Sequence, residues 1–318
     1  MFEHRTNRRV LFAQAGGAAG AMLLGRVGRA AEKSPEDHLH VSINVWSVST
    51  IGGRDKKRAE MPMDEQFAEL AACGMDGVEP SAGSPEQVEA TAAQLARHGL
   101  EMRSVYSGSG MHEPAKAEQS IRQILGLAKQ AKAAGARIVV TNPSPLAGRM
   151  AKTDEQLKTQ AASLDRLGRE LRSMGLVLAY HNHDIELQNA AREFHHMMVG
   201  TDPRHLALCL DAHWVYRGAG NSQVALFDVV KLYGPRVVEL HVRQSKDNVW
   251  SETFGDGDID YRALAKALLE IGVVPHVVLE QGPEAKTPQT MSVADIYRRS
   301  SRYAREVFAG FAKSHGTP

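Results

Sequence analysis

Short apolar segments alternate with longer amphipathic segments along almost the whole chain, and this alternation is the strongest constraint on the fold. Strands that alternate with helices are typical of parallel pairing, because a parallel connection must cross back to the start of the sheet. Eight such units in 318 residues predict an α/β fold, a closed (β/α)8 barrel with a single domain. The predicted strands span residues 41–48, 77–80, 102–106, 137–142, 176–180, 206–210, 237–242 and 276–279. The predicted helices span residues 63–73, 85–98, 114–134, 154–174, 193–199, 223–232, 261–271 and 293–311.

An open, doubly wound sheet is the alternative arrangement for alternating strands and helices. No glycine-rich dinucleotide-binding turn follows the first predicted strand, so the barrel is favoured. Residues 41–311 show no internal linker and are interpreted as one barrel domain. The polar residues 32–40 are interpreted as a linker before the barrel, and residues 312–318 as a C-terminal tail.

Residues 1–31 resemble a targeting segment that is removed from the mature protein. A basic region, TNRRVLF, precedes an apolar run rich in glycine and alanine, and GRAA offers small residues for cleavage. Arg8 and Arg9 resemble a twin-arginine signal, the class that exports folded proteins; an ordinary secretory signal is the alternative. The apolar run is short for a transmembrane span, which needs about 20 residues. We expect a periplasmic or secreted protein with no stable membrane span in its mature form.

The charge of the rest of the chain is nearly balanced. Five arginines and one glutamate lie in the first thirty residues, which leaves 33 basic and 36 acidic residues elsewhere. This balance provides no basic surface, so a nucleic-acid partner is not expected. Cys73 and Cys209 are the only cysteines, and their apolar surroundings in the sequence predict buried thiols, with a disulfide left open. The oligomeric state is also left open.

Polar side chains that are costly to bury stand directly after several predicted strands. The carboxyl ends of the strands of a barrel form one face, and the active site lies there. A His, an Asp, a second His and a Glu follow four neighbouring strands, and this mixed donor set suits one divalent ion such as Mn²⁺, Co²⁺, Zn²⁺ or Mg²⁺. Taken singly, a histidine at a strand end is more often a hydrogen-bonded structural residue, and an aspartate there often caps the next helix. The residues are a histidine at the end of the fifth predicted strand, His181 or His183, together with Asp211, His241 and Glu280.

Four motifs in the second half of the chain, LCLDAHWVYRGAG, VVELHVRQSKDN, FGDGDIDYRALAKAL and HVVLEQG, resemble those of a known family. They are similar to the xylose isomerase-like TIM-barrel family of sugar isomerases, epimerases and dehydratases. The resemblance implies one divalent metal with Asp211, His241 and Glu280 among its ligands. Many members have a glutamate at the end of strand five, where this chain has the triplet HNH. His181 is the favoured ligand there, and His183, on the same face of the strand, is its close competitor.

The resemblance also implies a chemistry. A metal that chelates the carbonyl and the adjacent hydroxyl of a sugar stabilises the enediolate that forms when a base removes the proton α to the carbonyl. The candidate catalytic groups are Glu280, His181 and His183. Reprotonation of the enediolate gives isomerisation or epimerisation, whereas loss of a β substituent gives dehydration or glycoside elimination. A histidine that acts as a general acid favours the second branch.

The predicted substrate is a non-phosphorylated keto sugar or 3-keto glycoside, because the chain carries an export signal and lacks a glycine-rich phosphate-binding loop. A non-catalytic sugar-binding barrel is the alternative, since the histidine at strand five departs from the family pattern. A metal phosphoesterase is a third interpretation. The barrels of that class resemble one another in having metal sites with many more histidine and carboxylate ligands. Arg243 either contacts substrate or pairs with Glu79, and Glu186 is either a substrate contact or a solvated carboxylate. The substrate-binding candidates are Glu79, Asn142, Glu186, His213, Trp214 and Arg243.

Overall fold

The structure, a computed structural model, describes residues 38–55, 58 and 60–313. Its strands are β1 (Val41–Asn44), β2 (Gly77–Glu79), β3 (Ser104–Tyr106), β4 (Ile138–Thr141), β5 (Val177–His181), β6 (Leu206–Asp211), β7 (Val237–Val242), β8 (Ser245–Lys246), β9 (Val249–Trp250) and β10 (His276–Leu279). Eight of them form one parallel sheet in the order β2-β1-β10-β7-β6-β5-β4-β3. Isolated parallel bridges between Gly77 and Glu101 and between Ser81 and Tyr106 join its two edges and nearly close a barrel. The predicted single-domain (β/α)8 barrel is therefore confirmed.

The helices surround the barrel and bury their apolar faces against it. Along the helix that spans 154–173, for example, Leu157, Leu164 and Leu171 are buried at seven-residue intervals, which places them on one face. The helices are α1 (Val45–Gly52), α2 (Met63–Ala72), α3 (Pro85–Arg97), α4 (Pro114–Ala133), α5 (Asp154–Ser173), α6 (Gln188–Val199), α7 (Ala212–Gly218), α8 (Gln223–Tyr233), α9 (Tyr261–Glu270), α10 (Val293–Val307) and α11 (Ala309–Lys313).

The barrel interior has an apolar part and a polar part. Ile138, Val140, Ala179 and Cys209 form a small apolar cluster that is separate from the main core between strands and helices. Side chains two residues apart on a strand point to the same side, so the residues that follow Ala179 and Cys209 at this spacing also point inward. Those residues are His181 and Asp211, and the interior becomes polar at their level.

Three predicted boundaries are wrong, and one of them is the start of the helix predicted over 193–199, which begins at Gln188. The strand predicted over 41–48 ends at Asn44, because the Asn44 side chain accepts a hydrogen bond from the backbone N–H of Trp46 at 2.7 Å and caps α1. The last helix, predicted over 293–311, is divided into α10 and α11 at Phe308, which has a non-helical backbone conformation (φ −100°, ψ 20°). Neither α7 nor the β8–β9 hairpin was predicted.

Three predictions fall largely outside the described residues, among them the C-terminal tail 312–318, of which only residues 312 and 313 are described. The twin-arginine-like segment 1–31 lies wholly outside them, and of the predicted linker only residues 38–40 are described. The export signal therefore stays a prediction. Within the described part of the chain, no helix combines the length and the apolar character that crossing a membrane requires. Cys73 and Cys209 are both buried and both free.

Candidate metal centre and active site

Four strands bring the predicted metal ligands together at the carboxyl end of the barrel. One donor atom from each residue lies within 4.8 Å of the donor atoms of the other three. The register explains the meeting, because His181 on β5 is paired with Cys209 on β6, and Asp211, two residues later, is paired with His241 on β7. The residues that meet are His181, Asp211, His241 and Glu280, and all four are buried.

Two atoms of this cluster have no hydrogen-bond partner among the described residues, although both are buried. They are Nε2 of His181 and Oδ2 of Asp211. Buried polar atoms are normally paired, so two unpaired donor atoms in one cluster suggest that a further group binds there. Two imidazoles and two carboxylates are ligands suited to a borderline or hard divalent ion. The residues present therefore fit the metal that the sequence predicted.

The electrostatics of the cluster depend on burial and on the pairing of His241 with its neighbours. Burial raises the pKa of Asp211 to about 8 and lowers that of His181 well below its usual value. Burial opposes ionisation of Glu280 as well, but His241 and Arg243 outweigh it and hold the Glu280 pKa well below its usual value. His181 is therefore neutral near pH 7 and keeps a lone pair for a ligand. Asp211 must lose its proton to bind a metal, so metal affinity should rise with pH.

The two histidines of the HNH triplet occupy different positions. His181 belongs to the cluster, whereas the ring of His183 lies on the wall of the adjoining cavity, with its centroid 4.8 Å from that of His181 and 5.7 Å from that of Trp214. Asn182 lies between them and binds the backbone of Asp211, accepting from its N–H and donating to its carbonyl, both at 3.1 Å. The middle residue of the triplet thus holds β5 against β6.

A cavity of ≈ 280 Å³ opens beside the cluster. This volume lies near the lower end of the range of volumes of small-molecule sites, and it suits a ligand about the size of one sugar ring. A second cavity, of ≈ 310 Å³, lies at the opposite end of the barrel around His40 and His276, away from the metal cluster. The cavity beside the cluster is lined by Asn44, Trp46, Ser81, Tyr106, His183, Trp214, Arg243 and Glu280.

All three tryptophans of the chain surround the guanidinium group of Arg243. Its central carbon lies 5.0 Å from the ring centre of Trp46, 4.9 Å from that of Trp214 and 4.3 Å from that of Trp250, which is within cation–π range. Nε of Arg243 donates to the main-chain oxygen of Glu280 at 2.7 Å. Trp250 was missed at the sequence level because it reaches the site on the β8–β9 hairpin, which followed no apolar strand pattern.

Four of the substrate-binding candidates do not line the cavity. Glu79 lies beneath the cluster, where it accepts from the Asn44 amide at 2.6 Å. Asn142 and Glu186 bind each other at 3.2 Å and also hold the backbone after β5. His213 contacts the Ser245 hydroxyl at 3.0 Å and packs against Trp250. The remaining two candidates, Trp214 and Arg243, lie on the cavity wall.

The fold and the cluster together define a TIM barrel with a candidate metal centre at its carboxyl-terminal mouth. The chain belongs to the xylose isomerase-like TIM barrel family, which it matches over residues 67–306. This family includes sugar isomerases, epimerases and dehydratases, so the predicted family is confirmed.

Individual relatives are distant in sequence. An inosose dehydratase from Clostridium perfringens is 23% identical over 284 residues, which cover 78% of this chain and 90% of the relative. The structure is similar to 3-keto-D-glucoside 4-epimerase from E. coli, with a TM-score of 0.63 and 18% identity over 85% of this chain and 100% of that one. It is also similar to a xylose isomerase-like TIM barrel protein from Mycobacterium smegmatis in complex with magnesium, with a TM-score of 0.67 and 14% identity over 87% and 99% of the two chains.

Proposed function

We propose that this protein is a divalent-metal-dependent enzyme that removes the proton α to the carbonyl of a non-phosphorylated keto sugar or 3-keto glycoside. The observation that carries the proposal is the set of four buried donors beside a cavity of about one sugar ring, with His183 on the cavity wall. The names of the relatives, an inosose dehydratase and a 3-keto-D-glucoside 4-epimerase, support this reaction class. The magnesium complex of the mycobacterial protein supports the choice of a divalent metal.

The metal would be held by His181, Asp211, His241 and Glu280. When bound, a divalent ion supplies positive charge that stabilises the negative charge of an enediolate. Of the four, Glu280 also lines the cavity. Its carboxylate would be engaged with the ion and is therefore a weaker base than an unbound group.

His183 is the residue that takes the proton in this proposal. Burial lowers the pKa of its imidazole, so the ring is neutral near pH 7 and has a lone pair. The proton passes from the α carbon to the ring, and the electron pair of the broken C–H bond forms the enediolate. Return of the proton to the neighbouring carbon of the enediolate gives an isomer, whereas an epimer requires that the α carbon is protonated from the opposite face. In the eliminating branch, the β substituent leaves with its electron pair and His183 donates the proton to the leaving oxygen.

The cavity wall suits an uncharged sugar better than a sugar phosphate. Among the described residues that line the cavity, Arg243 is the one lysine or arginine, and it is already bonded to the main chain of Glu280 and enclosed by indole rings. Trp46 and Trp214 offer aromatic faces against which a sugar ring can stack. Burial raises the pKa of Tyr106, so its hydroxyl stays protonated and can donate a hydrogen bond to substrate.

Solvent deuterium exchange into keto sugars and 3-keto glycosides, with Mn²⁺, Co²⁺, Zn²⁺ or Mg²⁺ added, tests the proposal. The wild-type protein should exchange the α proton. His183→Asn should retain the metal and lose exchange by about 100-fold or more, the range typical of a general base. Asp211→Asn should lose the metal as well. His195→Asn is the matched control, because His195 is a partly buried histidine of α6 that binds Tyr233 at 2.7 Å and does not line the cavity.

Two outcomes would overturn the proposal. A wild-type protein that binds no divalent metal removes its basis. A protein that binds metal and binds sugar tightly, but exchanges no proton, is instead a non-catalytic sugar-binding barrel. We also propose that the protein acts outside the cytoplasm, on the support of the sequence of residues 1–31, and fractionation of cells that express the full chain checks this.

A further inference from the structure

Three buried groups form a layer directly beneath the metal cluster. Cys209, Glu239 and Glu79 have no measurable exposure and point into the barrel interior. Glu79 accepts hydrogen bonds from Asn44 and Ser104, so it is held from the β1 and β3 sides. Neither the metal ligation nor the reaction proposed above uses these three groups. Their hydrogen bonds reach upward to the two histidines of the cluster.

The Cys209 thiol lies between His181 and Glu239. The thiol donates its one hydrogen to Oε1 of Glu239 at 3.5 Å, and its sulfur lies 3.6 Å from Nδ1 of His181. Because the thiol hydrogen is already directed to Glu239, the sulfur is left to accept from an Nδ1–H of His181. Nε2 of His181 then keeps its lone pair. This is the atom that has no partner among the described residues.

The carboxylates of the same layer determine the orientation of His241. Nε2 of His241 lies 3.1 Å from Oε1 of Glu239 and 3.2 Å from Oε1 of Glu79. An ionised carboxylate only accepts hydrogen bonds, so Nε2 carries a hydrogen whenever either group is ionised. Nδ1 of His241 faces the other way and lies 2.9 Å from Oε2 of Glu280, inside the metal cluster. Nδ1 donates its hydrogen to the ionised Glu280 in the metal-free protein, and it becomes the nitrogen available to a metal when it gives up that hydrogen.

We propose that Cys209, Glu239 and Glu79 are positioning residues that fix the two histidine ligands before metal binding, with Nε2 of His181 and Nδ1 of His241 facing the metal. This inference rests on the metal centre of the proposed function. Hydrogen bonds to the far nitrogen of a ligand histidine set its tautomer and ring orientation, and their loss typically weakens metal affinity by about 10- to 100-fold. The layer thus connects both histidines to Glu239, His241 by direct contact and His181 through the Cys209 thiol.

The two cysteines of the chain provide a matched experiment. Cys209→Ala removes the sulfur acceptor of His181, whereas Cys209→Ser keeps a group that both accepts and donates. Cys73→Ala is the control, because Cys73 is also buried but donates to the main-chain oxygen of Ala294, outside the site. Two measurements are made on each variant: the imidazole ¹⁵N shifts of metal-free, histidine-labelled protein, and the Kd for Mn²⁺ from the signal of free Mn²⁺ in electron paramagnetic resonance.

We expect wild-type protein, Cys209→Ser and Cys73→Ala to show His181 in the Nδ1–H form with similar Mn²⁺ affinity. Cys209→Ala should show a mixture of the two tautomers and a Kd that is higher by about 10-fold or more. Glu79→Gln, which removes the charge of one acceptor of His241, should also raise the Kd. If Cys73→Ala changes the His181 tautomer and the Kd for Mn²⁺ as much as Cys209→Ala does, Cys209 supports only the general packing of the barrel and the inference is overturned. An unchanged tautomer in Cys209→Ala would also overturn it.

The failure of this inference and the failure of the proposed function can be told apart. If wild-type protein binds no Mn²⁺ and none of the other divalent ions, the proposed function fails. The ¹⁵N shifts of the metal-free protein still report whether Cys209 fixes the His181 tautomer. If wild-type protein binds metal and exchanges protons but Cys209→Ala behaves like wild type, the inference alone fails.

Discussion

Glu186 shows how a side chain near the site can act without reaching the cavity. Its Oε2 accepts from the backbone N–H of His183 at 2.7 Å, and its Oε1 accepts from the Asn142 amide at 3.2 Å. The same amide donates to the main-chain oxygen of His181 at 2.8 Å. Spacing along the sequence placed Glu186 near the site but did not give its direction, because the short 3₁₀ turn after β5 rotates it away from the cavity.

Glu186 should make activity depend on pH. Burial, and next the charge of Glu193, raise its pKa to about 7. A carboxyl with a raised pKa takes up its proton as the pH falls through that value, and the oxygen that carries the proton no longer accepts well from its neighbour, the His183 N–H or the Asn142 amide. The segment that carries His183 should loosen, and kcat should fall below pH 7. A plot of kcat against pH measures this limb.

Glu186→Gln should lower kcat by about 10-fold at pH 8 without changing metal content, since an amide places a donor opposite the Asn142 amide and about one hydrogen bond is lost. The limb near pH 7 should also disappear. Glu252→Gln is the control, because Glu252 is a buried carboxylate that binds the Thr290 backbone and does not line the cavity. A limb near pH 7 that persists in Glu186→Gln would assign it to another group.

The elements themselves were largely predictable, because apolar periodicity determines which segments bury a face. Two of the errors lie where a strand passes directly into a helix. Asn44 and Asp211 each end a strand and cap the next helix. Oδ1 of Asp211 accepts a hydrogen bond from the backbone N–H of Trp214 at 2.8 Å, and Asn44 accepts from that of Trp46 in the same way. At the sequence level a cap and a metal ligand were alternative readings of Asp211. Its second oxygen, Oδ2, has no hydrogen-bond partner in the described part of the chain, so one carboxylate can serve in both roles.

Two helical glycines should respond oppositely to alanine. A Cβ at Gly168 in α5 would lie 1.9 Å from the main-chain oxygen of His205, so Gly168→Ala must move α5 away from the start of β6. Such overpacking typically costs about 1–3 kcal/mol. A Cβ at Gly126 in α4 meets nothing within 4 Å, so Gly126→Ala should stabilise the protein by about 1 kcal/mol through helix propensity. Urea unfolding of both variants measures the difference. Equal effects would show that the close approach of α5 to β6 is not rigid.

At the scale of the whole molecule, the barrel concentrates its costly groups in one place. Glu79, Asp211, Glu239, His181 and His241 are all without exposure in a single interior. The sequence predicted the location of this cluster, because carboxyl ends of neighbouring parallel strands must meet. It did not predict the layer around Glu239, because a glutamate inside a strand looks like any residue of a half-buried face until the closed barrel shows which side faces the interior.

Metal binding should therefore stabilise the whole barrel. The unpaired atoms of His181 and Asp211 would gain a partner, and an ion that binds only the folded state stabilises it by about 2.7 kcal/mol at 100 times its Kd. For a domain of this size that corresponds to a rise in Tm of roughly 5 °C. Scanning calorimetry with and without Mn²⁺ measures the shift, and EDTA should reverse it. Asp211→Asn should unfold at a Tm that Mn²⁺ does not change, because it lacks a ligand. An equal shift in Asp211→Asn would mean that the ion binds elsewhere, since stabilisation through the four-residue cluster requires that carboxylate.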